Sequence, residues 1–219
     1  LILDAAHMSG SRHNGEIVGK DADVVINSFQ ASKNLPIFDA GMISFSNKKL
    51  DEIARKKSWL GINKDTFSRS QGDYKWDYDV EYTGWKYHGN SIAASIFLAE
   101  LPFLDEGNDY RRELAVRYQN NLPDVNFVDH VNKSETSQHL CQVLIKNRDE
   151  FIEKLHMHGI NCGVHYKSNT EFQMYSHLRG TTPFAESMQH EILSLPLHLG
   201  LTEQDVDYVS EKILELIPS

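Results

Sequence analysis

LILDAAH (residues 1–7) and DADVVINSFQASKN (residues 21–34) are the two runs on which the reading of this chain turns. Leu1–Leu3 is short and apolar, and Asp23–Phe29 (DVVINSF) is short, β-branched and bounded by polar turn formers. Both are predicted to be buried strands. Each delivers a polar group at its C-terminal end. Asp4 follows the first run, Ser28 ends the second, and Lys33 comes five residues after Ser28. Open α/β sheets place their ligands at that edge.

Taken singly, these residues are ordinary. An aspartate after a strand is usually a turn former, a serine there usually bonds its own backbone, and a lysine is usually surface. Their order is more specific. A pyridoxal cofactor needs a carboxylate for its pyridinium nitrogen, donors for its phosphate and an amine for its aldehyde. Acid, hydroxyl and amine occur here in that order, across two predicted strands.

Working outward, Met42–Phe45 reads as a third strand and Lys49–Lys57 as a helix, with residues 58–83 as a long loop rich in Gly, Asp, Ser and aromatics. Ser91 is placed to cap a helix carrying Ile92, Ile96 and Leu98 that ends or kinks at Pro102. A further helix covers roughly 108–121. Beyond it the spacing predicts a strand over His139–Ile145, a helix over Arg148–His158 stopped by Gly159, and a returning strand over Ile160–His165. A last helix follows Thr202 as N-cap, with Asp205 three residues on and Val206, Val209, Ile213 and Leu216 on one face. The chain opens inside a predicted strand without an initiator methionine, and reads as the C-terminal part of a longer polypeptide.

Composition narrows the function classes. Twenty-two Lys and Arg against 31 Asp and Glu give a formal charge of −9, which works against nucleic acid as a partner. The basic clusters Arg55-Lys56-Lys57 and Arg111-Arg112 are flanked by acids and read as solvated helix faces. No apolar run approaches the ~20 residues needed to cross a bilayer, so no membrane partner is expected. Two cysteines, Cys141 and Cys162, make no disulfide framework and suggest a cytoplasmic setting. Phosphate-loop, GxGxxG, CxxC and HExxH patterns are absent. His156, His158, Cys162 and His165 form the densest metal-like cluster. Two residues apart on a helix, the first pair diverges by about 200°, and Cys162 and His165 would face opposite sides of a strand, so shared ligation requires distortion.

DAAH, NSFQASKN and AGMISFSN resemble the DegT/DnrJ/EryC1/StrS family of sugar aminotransferases, whose usual pattern is DAAH or DAAQ, then SFHxxKN, then GGM. The resemblance continues through WLGINKDTFSR, TGWKYHGNSIAASIFLAEL, RDEFIEKLHMHGINCGVHY and SLPLHLGLTEQDV, in the family's order. It implies an α/β fold. Residues 1–105 would be a remnant of the large domain of a fold-type I PLP aminotransferase, and residues 106–219 a smaller α+β C-terminal domain.

Carried over position by position, the resemblance implies that Lys33 is the catalytic lysine bearing pyridoxal 5'-phosphate and that Asp4 pairs with the pyridinium nitrogen. Ser28 would bond the phosphate and His7 would lie beside the ring. Lys86 stands where many relatives carry Asn, a position that reaches across a homodimer interface to the partner's cofactor phosphate. Shared active sites would follow. The implied reaction moves an amino group from an amino-acid donor, glutamate, to a nucleotide-linked keto-sugar, with Lys86 and Lys75 offsetting the chain's acidity toward an anionic substrate.

The chain also departs from the pattern. Gln30 replaces the usual His, Ala40 replaces a Gly, and His88-Gly89-Asn90 replaces Arg-Met-Ser/Thr. Tyr166–Glu171 stands where relatives have a Pro- and His-rich substrate loop. Other readings stay open: a family member aminating a carbocyclic ketone, or a truncated, inactive binding or dimerisation partner. A related dehydratase replaces the lysine by histidine, and Lys33 argues against that reading.

Overall fold

The computed structural model describes residues 1–63, 78–128 and 134–217, so Lys75 and much of the expected 58–83 loop lie outside the described residues. In chain order the strands are β1 (Ile2–Asp4), β2 (Arg12–His13), β3 (Glu16–Ile17), β4 (Val24–Ser28), β5 (Gly41–Phe45), β6 (Asn126–Phe127), β7 (Ser134–Glu135), β8 (Cys141–Leu144) and β9 (Ile192–Leu195). The α-helices are α1 (Lys48–Ser58), α2 (Ser91–Glu100), α3 (Leu104–Asn121), α4 (Arg148–Met157), α5 (Pro183–Met188) and α6 (Glu203–Leu216).

The chain forms two compact units. One comprises Leu1–Ser9 and Glu16–Leu104; the other comprises Gly10–Gly15 and Asp105–Ser219. In the first unit, β1 and β4 run parallel with Ile2 opposite Val24 and Asp4 opposite Ile26, and β5 pairs antiparallel with β4, Ser28 opposite Gly41. Residues opposite one another share a face, and the face alternates along each strand. Ile2, Asp4, Ile26, Ser28 and Ile43 therefore lie on one side. The strands were expected to be buried, and this side is not: Ile2 is 71%, Ile26 40% and Ile43 49% exposed. On the other side Leu3 and Val25 pack over Gly19, whose φ of +100° turns the chain back beneath them.

Asn47 caps α1 by accepting the amides of Lys49 and Leu50. At α2 the cap is Asn90, whose side chain accepts Ala93 N–H at 2.9 Å, and Ser91 is the first helical residue rather than the cap. An amide oxygen serves the orphan donors as well as a hydroxyl. Pro102 sits in a 3₁₀ turn, Leu101–Phe103, that separates α2 from α3.

The second unit is built on the antiparallel sheet β6-β8-β9. Its core gathers Leu114 and Tyr118 from α3, Leu122 just past its end, Cys141 and Val143 from β8, Phe151 and Leu155 from α4, Leu193 and Leu195 from β9, and Val206, Val209 and Ile213 from α6. Three α3 side chains donate to backbone carbonyls just after β9: Tyr118 to Pro196 at 3.1 Å, Arg111 to Leu197 at 3.0 Å and Tyr110 to Leu201 at 2.7 Å. Thr202 and Asp205 form the expected capping box on α6. The strand expected over Ile160–His165 is reduced to one bridge, Gly163 with Ser194. Gly163 leaves room there for the His165 ring, which a Cβ would meet at 2.6 Å.

The segment from 166 to 189 leaves the sheet and is closed by a polar knot. Glu186 accepts from Thr170 Oγ1 at 2.8 Å, Thr182 Oγ1 at 3.1 Å and Gly180 N–H at 3.0 Å, while Gln189 accepts Ser168 N–H at 3.0 Å. Within the same unit β2 pairs antiparallel with β7, and Ser11 Oγ accepts Ser137 N–H at 2.8 Å.

Candidate active site

Asp4 closes β1. Ala5 N–H donates to Ile26 O at 2.8 Å, which carries the parallel pairing one residue beyond the strand. Asp4 Oδ1 accepts Ala6 N–H at 3.0 Å, the local bond that makes aspartate a turn former. The chain then turns tightly, Met8 N–H to Ala5 O at 2.9 Å, with His7 half-buried in the turn. The Asp4 side chain is exposed, and its carboxylate is open to a ligand.

Ser28 ends β4 on the face that carries Asp4. Its Oγ accepts Gln30 N–H at a long 3.4 Å, which leaves the hydroxyl hydrogen to donate. Phe29 N–H donates to Ala40 O and Ile37 N–H to Phe29 O, both at 2.8 Å, closing residues 30–39 into a compact loop. Beneath it Phe29, Leu35 and Ile37, at 6%, 3% and 2% exposure, form a small core against Ala93, Ile96 and Phe97. The Phe29 and Phe97 rings meet edge to face at 4.9 Å. Lys33 rides on this loop half-buried, with its N–H donated to Gln30 O at 2.8 Å.

The fold thus brings Asp4, Ser28 and the Lys33 loop to the C-terminal ends of two neighbouring parallel strands, with the His7 turn directly after Asp4. A carboxylate, a hydroxyl donor and a primary amine at one sheet edge fit the three needs of a pyridoxal cofactor. Lys86 is positioned by a different element. Trp85 N–H donates to Lys57 O at 2.7 Å, Leu60 N–H to Trp85 O at 3.0 Å and Tyr87 N–H to Ser58 O at 2.9 Å, so Lys86 is bridged to Trp59 just past the end of α1. Two glycines permit this lacing. A Cβ on Gly61 would stand 1.7 Å from Tyr82 O, and one on Gly84 2.2 Å from Gly61 N. Lys86 is exposed and makes no ion pair among the described residues, whereas Lys56 is held by Glu81 at 2.6 Å and Arg55 by Asp51 at 2.8 Å.

A cleft of about 1150 Å³ opens between β5, α1 and the start of α2, lined by Phe29, Ile37, Trp59, Tyr87, His88 and Phe97 among others. None of Asp4, His7, Ser28, Lys33 or Lys86 lines it. The strand edge that carries Asp4 and Ser28 is thus separate from this cleft. The histidine–cysteine cluster of the second unit is dispersed: His156 Nδ1 meets Asn161 Oδ1 at 2.9 Å, and His165 Nδ1 meets Ser194 Oγ at 2.8 Å. Burial pushes the Cys162 thiol up to about 12. What sequence reasoning did not single out is the anchoring of the lysine loop. Leu35 and Ile37 flank Pro36 at the alternating spacing of an extended segment with one buried side, and that was the available signal.

Comparison with known proteins identifies the family of the chain. The model of the DegT/DnrJ/EryC1/StrS aminotransferase family matches residues 1–214. A UDP-4-amino-4,6-dideoxy-N-acetyl-beta-L-altrosamine transaminase of Campylobacter jejuni is 28% identical over 99% of this chain and 58% of its own length. Among solved structures, the putative sugar aminotransferase Spr1654 of Streptococcus pneumoniae in its PMP form superposes with a TM-score of 0.88 at 26% identity, covering 96% of this chain and 57% of that one. PseC of Helicobacter pylori, an aminotransferase involved in the biosynthesis of pseudoaminic acid, gives 0.87 at 25% identity over 98% of this chain and 58% of its own. The chain therefore spans somewhat under three-fifths of the length of these relatives.

Proposed function

The chain belongs to the DegT/DnrJ/EryC1/StrS aminotransferase family, and from that premise we propose that its protein is a pyridoxal-phosphate-dependent aminotransferase. It moves an amino group from an amino acid, glutamate, to a nucleotide-linked keto-sugar. The observation that carries this reading is the convergence of Asp4, Ser28 and the Lys33 loop at the ends of the parallel pair β1–β4. The similar transaminase of Campylobacter jejuni bears a UDP-sugar in its name, which supports the substrate class.

When bound, the cofactor supplies an electron sink for a carbanion at the donor's α-carbon. The protein's residues set up the rest. Asp4 would pair with the ring N–H and keep the proton on that nitrogen. Ser28 would donate its hydroxyl hydrogen to the phosphate, and the His7 turn would stand next to the cofactor. Lys33 Nζ would hold the aldehyde group, and as a free amine it would be the base for the proton on the donor's α-carbon. The loop core of Phe29, Leu35 and Ile37 fixes where that amine stands.

The same reading takes residues 1–105 as part of the cofactor-binding domain and 106–219 as the small domain. It also takes the protein as a cytoplasmic homodimer in which Lys86 of one subunit reaches the cofactor phosphate of the other. An exposed cation with no ion pair among the described residues, on a firmly laced segment, suits that role. Among the described residues no helix is long and apolar enough to cross a membrane.

The test is covalent capture. Borohydride reduction of the protein with pyridoxal phosphate should mark Lys33 in a peptide map, and Lys33→Ala should lose both the mark and turnover. A reducible adduct retained in Lys33→Ala, or marked on another lysine, overturns the assignment.

A further inference from the structure

The turn that carries Lys33 is held by a side chain with no role in the scheme above. Gln30 Oε1 accepts Ser32 N–H at 3.0 Å and Ser32 Oγ–H at 2.5 Å. The orientation of the amide is fixed by its first partner: a backbone N–H only donates, so the atom facing it is the oxygen. The backbone of Gln30 is engaged on both sides as well. Its N–H reaches Ser28 Oγ at 3.4 Å, and its carbonyl accepts Lys33 N–H at 2.8 Å. One residue thus ties the proposed phosphate donor to the turn that ends in the proposed reactive amine.

We propose that Gln30 is a positioning residue for Lys33: its side-chain carbonyl clamps both donors of Ser32 and so fixes the turn from which Lys33 Nζ is presented. The proposal rests on the aminotransferase reading of Lys33. It also gives a physical meaning to one departure from the family's pattern, which has histidine at this position. A neutral imidazole offers a single acceptor nitrogen, whereas an amide carbonyl has two lone pairs. Only the carbonyl can take the amide and the hydroxyl of Ser32 together. Gln30 is itself exposed, so no core packing depends on it. Reactive groups held within a fraction of an ångström of the productive position gain rate from that alone, and a turn closed by local side-chain bonds is a direct means of holding one.

The experiment compares wild type, Gln30→Met, which keeps the stem but loses the acceptor, and Gln30→Glu, which restores an acceptor oxygen. Hydrogen exchange at the Ser32 and Lys33 amides is measured first, in the cofactor-free protein. Two bonds of ordinary strength predict about thirtyfold faster exchange in Gln30→Met, wild-type protection in Gln30→Glu and an unchanged melting temperature in both. The affinity for pyridoxal phosphate is then read by borohydride capture at Lys33, at a pH high enough to deprotonate the lysine. Gln30→Met should bind about tenfold more weakly, and Gln30→Glu should stay near wild type.

Equal exchange in wild type and Gln30→Met overturns the clamp. Faster exchange with unchanged capture overturns the positioning role. If wild type itself shows no capture at Lys33, it is the aminotransferase reading that fails, and the exchange data still decide the clamp.

Discussion

Replacing Ile37 with alanine should loosen the loop that presents Lys33 while leaving the second unit untouched. Ile37 is 2% exposed and, among the described residues, belongs to a small buried core with Phe29 and Leu35. The substitution removes three carbons, about 0.8 kcal/mol each in transfer terms, and leaves a cavity. Isoleucine-to-alanine changes in cores cost roughly 2–5 kcal/mol. The lower half of that range applies here, because the half-buried neighbours Ala93, Ile96 and Phe97 can settle inward.

A cost of about 2–3 kcal/mol confined to the loop raises its opening equilibrium about 30- to 150-fold. The amides to follow are Ile37, bonded to Phe29 O, and Phe29, bonded to Ala40 O. Hydrogen exchange followed by mass spectrometry or NMR should show both accelerating by that factor, with Val143 and Leu193 in the second unit as unchanged references. Capture of pyridoxal phosphate at Lys33 should weaken in parallel. Two results refute the reasoning. Unchanged exchange at Ile37 would mean that the small core does not pin the loop. Equal acceleration at every amide of the first unit would mean that the loop has no opening of its own.

The two remaining predictions concern charge. A charge-assisted contact to phosphate is worth roughly 1.5–3 kcal/mol, so Lys86→Ala should weaken cofactor affinity about ten- to hundredfold. Mixing Lys33→Ala with Lys86→Ala subunits should partly restore activity, because one mixed site then carries both lesions and the other carries none; no recovery despite proven exchange would place the lysine in its own subunit's site. In the second unit, Arg117 grips both oxygens of Asp207 at 2.7 Å and Asn121 adds a third bond at 2.8 Å, holding the carboxyl at about 2 against an ordinary 3.8. A pKa depressed in the folded state stabilises above the unfolded value and ceases to do so as pH falls through the folded one. The urea midpoint of wild type should therefore drop more steeply than that of Asp207→Asn between about pH 5 and pH 2, and parallel curves would show that the grip is absent.

How much of this was legible in the sequence depends on the range of the interaction. DVVINSF declared β4 through its own β-branched residues, and Thr202 with Asp205 declared α6, because strand propensity and a capping box are local. Ser91 is the residue that the sequence offers as a cap, yet the Asn90 side chain can accept as well, and only the backbone angles distinguish them; Asn90 is extended at φ −110°, ψ 158°. Ile160–His165 alternates like a strand, yet Gly163 with Ser194 is its one bridge, and the Gln142 amide takes the His165 carbonyl at 2.6 Å. That competition between a side chain and a ladder is set by a residue 23 positions away. In the candidate site, Asp4, Ser28 and Lys33 could be assigned to one sheet edge because their spacing is local to two strands. The Gln30 clamp was not legible, since nothing in a list of residue types tells a turn held by its own side chains from an ordinary loop, and the Leu35–Ile37 anchor left only its alternating spacing as a signal.

The pairing of β2 with β7 has a practical corollary for dissecting the protein. Gly10–Gly15 lies between the two strands that bear Asp4 and Ser28, yet its strand β2 completes the unit formed by Asp105–Ser219. A contiguous fragment starting at residue 105 would leave Ser134–Glu135 without its partner strand and the Ser137 amide without the Ser11 hydroxyl. The second unit cannot be excised by one cut in the gene. An independently folding version would need the Gly10–Gly15 segment grafted back through a linker, or supplied as a peptide in trans.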